Sequence, residues 1–247
     1  YRAYEPGDEL RQIDWKLYAR SDRFFVRESE RESPVTIWIL VDATASAGQA
    51  DRARPAVSRL DHACATAACI VELALQQGDR FGLVAINGDG VQLVPAGSGA
   101  RQRDRIHLLL HRLHARGAWP AADALRPVWE RVQANDMLVA LGDGFDESGT
   151  VLLERLAAAR RDVVQLQILT ADERDFPFQD GHRFRDPETG EELLGDGRAI
   201  RDDYLARFAE AQRVLQARLL RGGVAHVVTH TDQPLDAPLR RLAGSAR

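Results

Sequence analysis

The sequence predicts an α/β protein with a Rossmann-like, doubly wound and mostly parallel sheet. Apolar strand-like runs alternate with helical patterns through most of the chain, which is typical of parallel strands joined by crossover helices. The first of these runs, residues 35–41, is almost continuously apolar, as expected for a strand that is covered on both faces. Glycines follow several of the helical patterns, as they commonly do where helices end, at Gly78, Gly117 and Gly222.

The predicted strands are short runs of β-branched and bulky apolar residues. They cover residues 35–41, 80–87, 91–95, 137–141, 163–169 and 224–229. The helices are predicted from apolar residues at helical spacing, over residues 61–77, 101–116, 121–134, 151–161, 201–221 and 235–243. Because only a short turn around Gly88 and Gly90 separates the second strand from the third, we expect a hairpin there and one antiparallel edge strand.

Two segments lie outside this alternation. Residues 1–33 form a predicted N-terminal appendage, and residues 34–247 form the main domain. The predicted elements of the appendage are a turn at Pro6 and Gly7, a helix around residues 9–19 and an extended stretch at residues 24–29. The second segment, at about residues 172–200, contains a turn from Pro187 to Gly190 between two short extended runs, which predicts a β-hairpin insertion.

The composition limits the classes of partner and of chemistry. Of the 247 residues 45% are hydrophobic, so the chain can bury a large core. The formal net charge is -4, and without a bulk positive field we expect neither nucleic acid nor an anionic membrane as a partner. The lone lysine, Lys16, lies in the appendage, so the main domain lacks the usual lysine of phosphate-binding or Schiff-base sites.

The cysteines and the lengths of the apolar runs predict the cellular compartment and the absence of a membrane span within this chain. Cys64 and Cys69 are five positions apart in a helical pattern, so they point to different faces, and we expect free thiols in a reducing, cytoplasmic compartment. No apolar run reaches the roughly 18 residues that a membrane span needs, so no span is predicted within this chain. The sequence begins at Tyr1 inside a motif, so the presence of an upstream segment, even a membrane anchor, is left open.

The first predicted strand ends in a cluster of oxygen-bearing side chains. Asp42, Thr44 and Ser46 occupy every second position directly after the apolar run. In open α/β sheets ligands bind at the carboxyl ends of the strands, and carboxylate and hydroxyl oxygens are the ligands that Mg²⁺ prefers. The sequence therefore predicts a candidate binding site at this strand end.

Several motifs resemble known families. D-A-T-A-S at residues 42–46 resembles the D-x-S-x-S signature of von Willebrand factor A domains, and L-G-D-G at residues 141–144 resembles their later aspartate loop. The phrase Y-E-P-G-D-E-L-R-Q-I-D-W-K-L-Y-A-R at residues 4–20, followed by R-E-S-E-R-E-S-P-V-T-I-W-I-L-V-D, is more specific. It resembles the bacterial family called domain of unknown function fifty-eight, and the resemblance continues to the end of the chain.

The resemblance implies a metal-ion-dependent adhesion site, in which Mg²⁺ or Mn²⁺ is held by few protein oxygens. The matching positions are Asp42, Thr44, Ser46 and Asp143. It also implies a non-enzymatic protein that serves a MoxR-type AAA+ ATPase as adaptor or co-chaperone, with the ATPase or its client as partner. The alternative at this site is structural: Asp42 and Thr44 would cap the following helix, and Asp143 would be a turn residue.

The chain departs from the family pattern at the third hydroxyl ligand. Trp119 stands where the family has a threonine, and residues 100–146 contain no serine or threonine at all. Asp123 is the nearest spare oxygen. We therefore expect metal binding to be weak or absent, and Trp119 to cap the site or to offer an aromatic contact to a partner. The alternative for Trp119 is packing beneath a loop.

Two residues beside Asp143 complete the expected partner surface. Phe145 and Asp146 follow Asp143 closely enough to line the same cleft, although Asp146 also fits the pattern of a helix cap. The competing function is a haloacid-dehalogenase-like phosphohydrolase that uses Asp42 as its nucleophile. That class needs a second acid where Thr44 stands and a lysine as well, so a non-enzymatic protein-binding module is the favoured interpretation.

Overall fold

The computed structural model describes residues 2–3, 25–26 and 34–245. The chain divides into two compact units, Tyr1–Pro34 and Val35–Arg247. In the first unit, β1 (Arg2–Ala3) pairs antiparallel with β2 (Phe25–Val26), which lies within the extended stretch predicted at residues 24–29. The predicted turn at Pro6 and Gly7 and the predicted helix around residues 9–19 lie outside the described residues.

The second unit is built on a six-stranded sheet and a separate hairpin. Its strands are β3 (Thr36–Asp42), β4 (Arg80–Asn87), β5 (Gly90–Gly97), β6 (Met137–Gly142), β7 (Asp162–Leu169), β8 (Gly181–Arg185), β9 (Glu192–Asp196) and β10 (Ala225–His230). The large sheet has the order β10-β7-β6-β3-β4-β5, and every neighbouring pair in it is parallel except β4 and β5. The predicted fold class is confirmed, including its antiparallel edge strand.

Seven α-helices are described in the second unit. They are α1 (Arg59–Gln77), α2 (Ala100–Arg112), α3 (Arg126–Arg131), α4 (Glu147–Ala158), α5 (Ala171–Asp175), α6 (Gly197–Arg221) and α7 (Asp236–Ser245). Strands β8 and β9 pair antiparallel and form the hairpin that the sequence predicts. Among the described helices, none is long and apolar enough to cross a membrane.

Strand β3 lies at the centre of two hydrophobic cores. Because side chains alternate across a strand, Ile39 and Val41 pack with α1 on one face of the sheet. Trp38 and Leu40 pack on the opposite face with residues of α3, α4 and α6. All four side chains are buried, so both faces of the strand are covered, which explains why the run is continuously apolar rather than alternating.

Two predicted helices are wrong in part. Residues 121–134 do not form one helix: a 3-10 turn at Ala122–Leu125 leads into the single short helix α3. The helix predicted at residues 101–116 ends at Arg112. The residues beyond it run along the strand ends, where Arg116 N–H donates to Ala43 O over 3.0 Å and Ala45 N–H donates to Gly117 O over 2.7 Å. These tertiary hydrogen bonds outweigh the helical pattern of that segment.

Glycine is required where this segment crosses the β4–β5 turn. Gly117 has a φ of 63°, and a Cβ added to it would lie 2.6 Å from the Cα of Gly88. A Cβ added to Gly88 would likewise lie 2.7 Å from the Cα of Gly117. The two backbones can pass this closely only because neither residue has a side chain. The crossing places Trp119 at the strand ends.

Candidate functional site

The sheet topology brings the predicted site residues together. Strands β3 and β6 are parallel neighbours, so Asp42 at the end of β3 and Asp143 just after β6 meet at the same sheet edge. Thr44 and Ser46 lie in the loop and 3-10 turn that follow β3. We call this group the strand-end face: Asp42, Thr44, Ser46, Trp119 and Asp143, with Phe145 at its rim.

The carboxylate of Asp42 accepts hydrogen bonds at both oxygens. Oδ1 accepts the backbone N–H of Thr44 at 2.9 Å and its hydroxyl at 2.7 Å, while Oδ2 accepts the indole N–H of Trp119 at 3.0 Å. Asp42 is only 6% exposed. Burial, and next the negative charge of Asp143, raise the pKa of Asp42 to about 6, although the bonds from Thr44 and Trp119 act in the opposite direction.

A chain of hydroxyls links the two aspartates. Thr44 Oγ1 lies 3.2 Å from Ser46 Oγ, and Ser46 Oγ donates to Asp143 Oδ2 over 3.3 Å. The Thr44 side chain does not cap the following 3-10 turn, since its oxygen accepts no backbone N–H from that turn, and its hydroxyl donates to Asp42 instead. The capping alternative therefore does not describe Thr44, and the expected oxygen cluster is present as a hydrogen-bonded chain.

The side chain of Arg59 lies against this cluster, which the sequence analysis did not foresee. Its Nη1 is 3.1 Å from Asp143 Oδ2 and 3.3 Å from Glu173 Oε1. Its Nη2 donates to the carbonyl oxygen of Ser46 and to Oε1 of Gln49, each over 2.8 Å. Arg59 is 4% exposed, so its guanidinium is a buried positive charge beside the predicted metal ligands.

A buried positive charge lies among the oxygens that were expected to hold a divalent cation. Arg59 Nη1 lies 3.1 Å from Asp143 Oδ2, and a fixed positive charge this close disfavours a second cation at the same oxygens. Each carboxylate oxygen of the two aspartates also accepts at least one protein donor, including the Phe145 N–H that donates to Asp143 Oδ1 over 3.1 Å, which leaves fewer lone pairs for an ion. Within the described part of the chain, no group of three or more His, Cys, Asp or Glu side chains could hold a metal ion.

Trp119 contributes both a donor and a cover to the site. Besides the hydrogen bond to Asp42, its ring packs on the start of α4, where a Cβ added to Gly149 would lie 3.1 Å from the ring. The ring also belongs to the core on that face of the sheet. Trp119 thus lies between the carboxylate of Asp42 and the start of α4. Its role as a partner contact stays a prediction.

Of the other two predicted partner residues, Asp146 caps a helix and Phe145 is exposed at the surface. Asp146 caps α4, because its Oδ1 accepts the Gly149 N–H over 2.8 Å. Phe145 is 46% exposed, and its ring centroid lies 6.2 Å from that of Phe208. Asp123 is exposed in the 3-10 turn before α3 and lines a different groove, so it adds no oxygen to the cluster.

The sequence pattern does not point to Arg59 or Glu173, because neither residue lies in a predicted helix. Arg59 is the first residue of α1, two positions before the predicted start of that helix, and Glu173 lies on the short helix α5, which was not predicted. The available signal was the S-R-L-D sequence at residues 58–61, because Ser58 and Asp61 form a capping box that starts the helix. A helix start at Ser58 would have placed an arginine near the strand ends.

A groove of about 800 Å³ opens beside the strand-end face. Four aromatic side chains line it, and the rings of Phe176 and Tyr204 are 4.3 Å apart at their centroids; the four are Phe176, Phe178, Phe184 and Tyr204. Gln49 and Arg52 from the loop after β3 form one side, and the β8–β9 hairpin forms the other. The hairpin insertion therefore extends the concave surface next to the site.

Comparisons with known proteins agree with the sequence motifs. Uncharacterized proteins of Mycobacterium tuberculosis and Mycobacterium bovis are each 31% identical to the chain over 258 residues, which cover 100% of this chain and 78% of those proteins. Among solved structures, the conserved hypothetical protein BatB from Bacteroides thetaiotaomicron has a TM-score of 0.50 at 12% identity, covering 86% of this chain and 98% of that chain. This likeness shows a shared fold alone.

A second solved structure, the SpRpn10 VWA domain, has a TM-score of 0.49 at 15% identity, covering 85% of this chain and 95% of that chain. The family model described as "Protein of unknown function DUF58" matches residues 1–214. That match spans both units of the chain and includes the strand-end face. The chain therefore belongs to the family described as protein of unknown function DUF58.

Proposed function

We propose that this chain is a protein-binding module that holds its partner at the strand-end face. The observation that carries the proposal is a row of aromatic rings that runs from the exposed Phe145 to Phe208, 6.2 Å away, and on to Tyr204, which lines the groove. Aromatic side chains next to a concave surface are enriched in binding hot spots. The rigid network beneath them fixes the loops that present this surface.

We assign the partner by the family resemblance. The motif at residues 4–20 and the D-A-T-A-S loop resemble a family associated with MoxR-type AAA+ ATPases. The proposed partner is therefore such an ATPase or its client protein, and the proposed role is that of an adaptor or co-chaperone in the cytoplasm. Neither nucleic acid nor a membrane surface is part of the proposal, because the chain carries a formal net charge of -4.

The proposed contact does not depend on a metal ion. Trp119 donates an N–H to Asp42 where a threonine hydroxyl would offer a lone pair to a cation. A donor cannot act as a metal ligand, so the adhesion site is degenerate at this position. We expect Mg²⁺ or Mn²⁺ to bind weakly or not at all, and the partner to bind equally well when a chelator is present.

The geometry disfavours the phosphohydrolase that uses Asp42 as nucleophile. A nucleophilic carboxylate must present a free oxygen to its substrate. Asp42 is 6% exposed, and its oxygens accept three hydrogen bonds from Thr44 and Trp119. The position that would supply the second acid is Thr44, whose hydroxyl donates to Asp42.

A pull-down with a MoxR-type ATPase from the same organism tests the proposal. The variants are Asp42→Ala and Trp119→Ala, each compared with the wild-type chain in Mg²⁺ and in chelator. The matched control is Trp129→Ala, because Trp129 is a 40% exposed tryptophan in a separate groove on α3. We expect both site variants to lower recovery at least tenfold in either buffer, and the control to match the wild type. Equal recovery in every lane would exclude the strand-end face as the contact.

A further inference from the structure

We infer that Arg59 is the resident cation of the strand-end face and takes the place of the divalent ion that the resemblance implies. The inference deepens the proposed function and rests on it only for the identity of the face. In this inference a side chain of the protein itself, rather than a bound ion, balances the negative charge of the carboxylates at the strand ends.

Arg59 lies beside the cluster because it is the first residue of helix α1. Ser58 caps α1, accepting the Asp61 N–H over 3.1 Å, while the Asp61 carboxylate accepts the Ser58 N–H over 2.8 Å. Arg59 is the next residue after this cap. Since the cap fixes the backbone on both sides of it, the arginine side chain starts from a defined point beneath the loop that follows β3.

The guanidinium bonds to the residues that the resemblance assigns to the metal. Its Nη1 lies 3.1 Å from Asp143 Oδ2, the same oxygen that accepts the Ser46 hydroxyl. Its Nη2 donates to the Ser46 carbonyl oxygen over 2.8 Å. A planar guanidinium presents several donors in fixed directions, so one side chain can hold both strand-end loops.

The charges at the site favour a single resident cation. Asp42 and Asp143 are linked through the hydroxyls of Thr44 and Ser46, so two carboxylates meet at this edge of the sheet. The guanidinium of Arg59 supplies a positive charge 3.1 Å from Asp143 Oδ2. A divalent ion among the same oxygens would meet this fixed positive charge at close range in a poorly solvated site, and like charges there repel strongly.

The guanidinium also joins the strand ends to the groove. Its contact with Glu173 Oε1, at 3.3 Å, reaches helix α5, and the backbone carbonyl of Glu173 accepts the hydroxyl of Tyr204 over 3.3 Å. Tyr204 is one of the aromatic residues that line the groove. A bound ion would contact the strand ends alone, whereas Arg59 connects them to the surface that we propose for the partner.

Restoring a metal site tests the inference, with Mn²⁺ alone as the probe and electron paramagnetic resonance as the readout. Trp119→Thr returns the missing hydroxyl, and Arg59→Gln removes the charge while keeping a side-chain NH₂ donor. We expect the wild type and Trp119→Thr to bind Mn²⁺ weakly, and the double variant to bind it at least tenfold more tightly. The charge control pairs Trp119→Thr with Arg103→Gln, since Arg103 lies on α2 in an ion pair with Asp104; it should bind as weakly as Trp119→Thr.

Equal Mn²⁺ affinity of Trp119→Thr and the double variant would overturn the inference. The wild-type chain supplies a second measurement that does not depend on how the variants fold. Added Mn²⁺ should leave the indole N–H resonance of Trp119 unbroadened, although this group lies 3.0 Å from Asp42 Oδ2. Selective broadening at substoichiometric Mn²⁺ would show an ion at the site and overturn the role of Arg59. Partner binding in the pull-down is a separate readout, so the two proposals can fail independently.

Discussion

The indole N–H of Trp119 donates to Oδ2 of Asp42 over 3.0 Å, across 77 positions of sequence. This bond joins the loop before α3 to the end of the central strand. It also decides the chemistry of the site, because it puts a hydrogen-bond donor where the adhesion-site pattern has a threonine oxygen. Of the two aspartates that the resemblance assigns to a metal ion, one thus accepts a hydrogen bond from Trp119 and the other forms an ion pair with Arg59.

Trp119→Phe removes the donor and keeps most of the ring. We expect the free energy of unfolding to fall by about 1–3 kcal/mol, because a buried carboxylate oxygen loses its bonded partner. Urea denaturation measures this change. Trp129→Phe is the control, and since Trp129 is 40% exposed, we expect a change below about 0.5 kcal/mol. Equal effects of the two substitutions would contradict the importance of the indole bond.

The pKa of Asp42 predicts a pH dependence of stability. In the native state the pKa is raised from its ordinary value of 3.8 to about 6, so the native state binds more protons than the unfolded chain between these pH values. The stability that Asp42 contributes is therefore full below about pH 4 and is lost as the pH rises towards 6, by roughly 3 kcal/mol. Titration of the Asp42 carboxyl carbon by NMR, with Asp42→Asn to assign the signal, should give a midpoint near 6. A midpoint at the ordinary value would refute the burial argument.

Gly142→Ala tests how tightly the backbone of β6 packs on Asp42. A Cβ added at Gly142 would lie 2.7 Å from the Cβ of Asp42, so one of the two strand ends must shift. We expect a loss of about 1–3 kcal/mol in a urea titration, as is usual for overpacking. Gly181→Ala is the matched control, because a Cβ there meets nothing within 4 Å. If both variants unfold at the same urea concentration, the strand ends are not closely packed.

Phe145→Ser tests the rim of the proposed partner surface. Phe145 is 46% exposed, so we expect little change in stability but at least a tenfold loss of affinity for the ATPase, measured by calorimetry. Leu194→Ser is the control, because Leu194 is 74% exposed on β9. Leu194 does not line the groove, so an affinity loss with Leu194→Ser alone would move the contact to the part of the hairpin outside the groove.

The sequence predicts the sheet from the periodicity of its strands and helices. The meeting of Asp42 with Asp143 is implied by the resemblance of their two motifs to von Willebrand factor A domains, because periodicity does not say that β3 and β6 are neighbours. The network beyond these residues is not local. Arg59 contacts Asp143 and Glu173, and the segment after α2 pairs with the loop that follows β3 through Arg116 and Gly117. Such contacts depend on the packing of distant segments, which periodicity does not report.

Hydrogen–deuterium exchange of the chain, alone and with a MoxR-type ATPase, tests the central claim most directly. The claim is that the partner binds at the strand-end face without a metal ion. We expect added protection in residues 42–49 and 143–146, equal in Mg²⁺ and in chelator. Protection that appears only with Mg²⁺, or that lies only in segments distant from the strand ends, would contradict it.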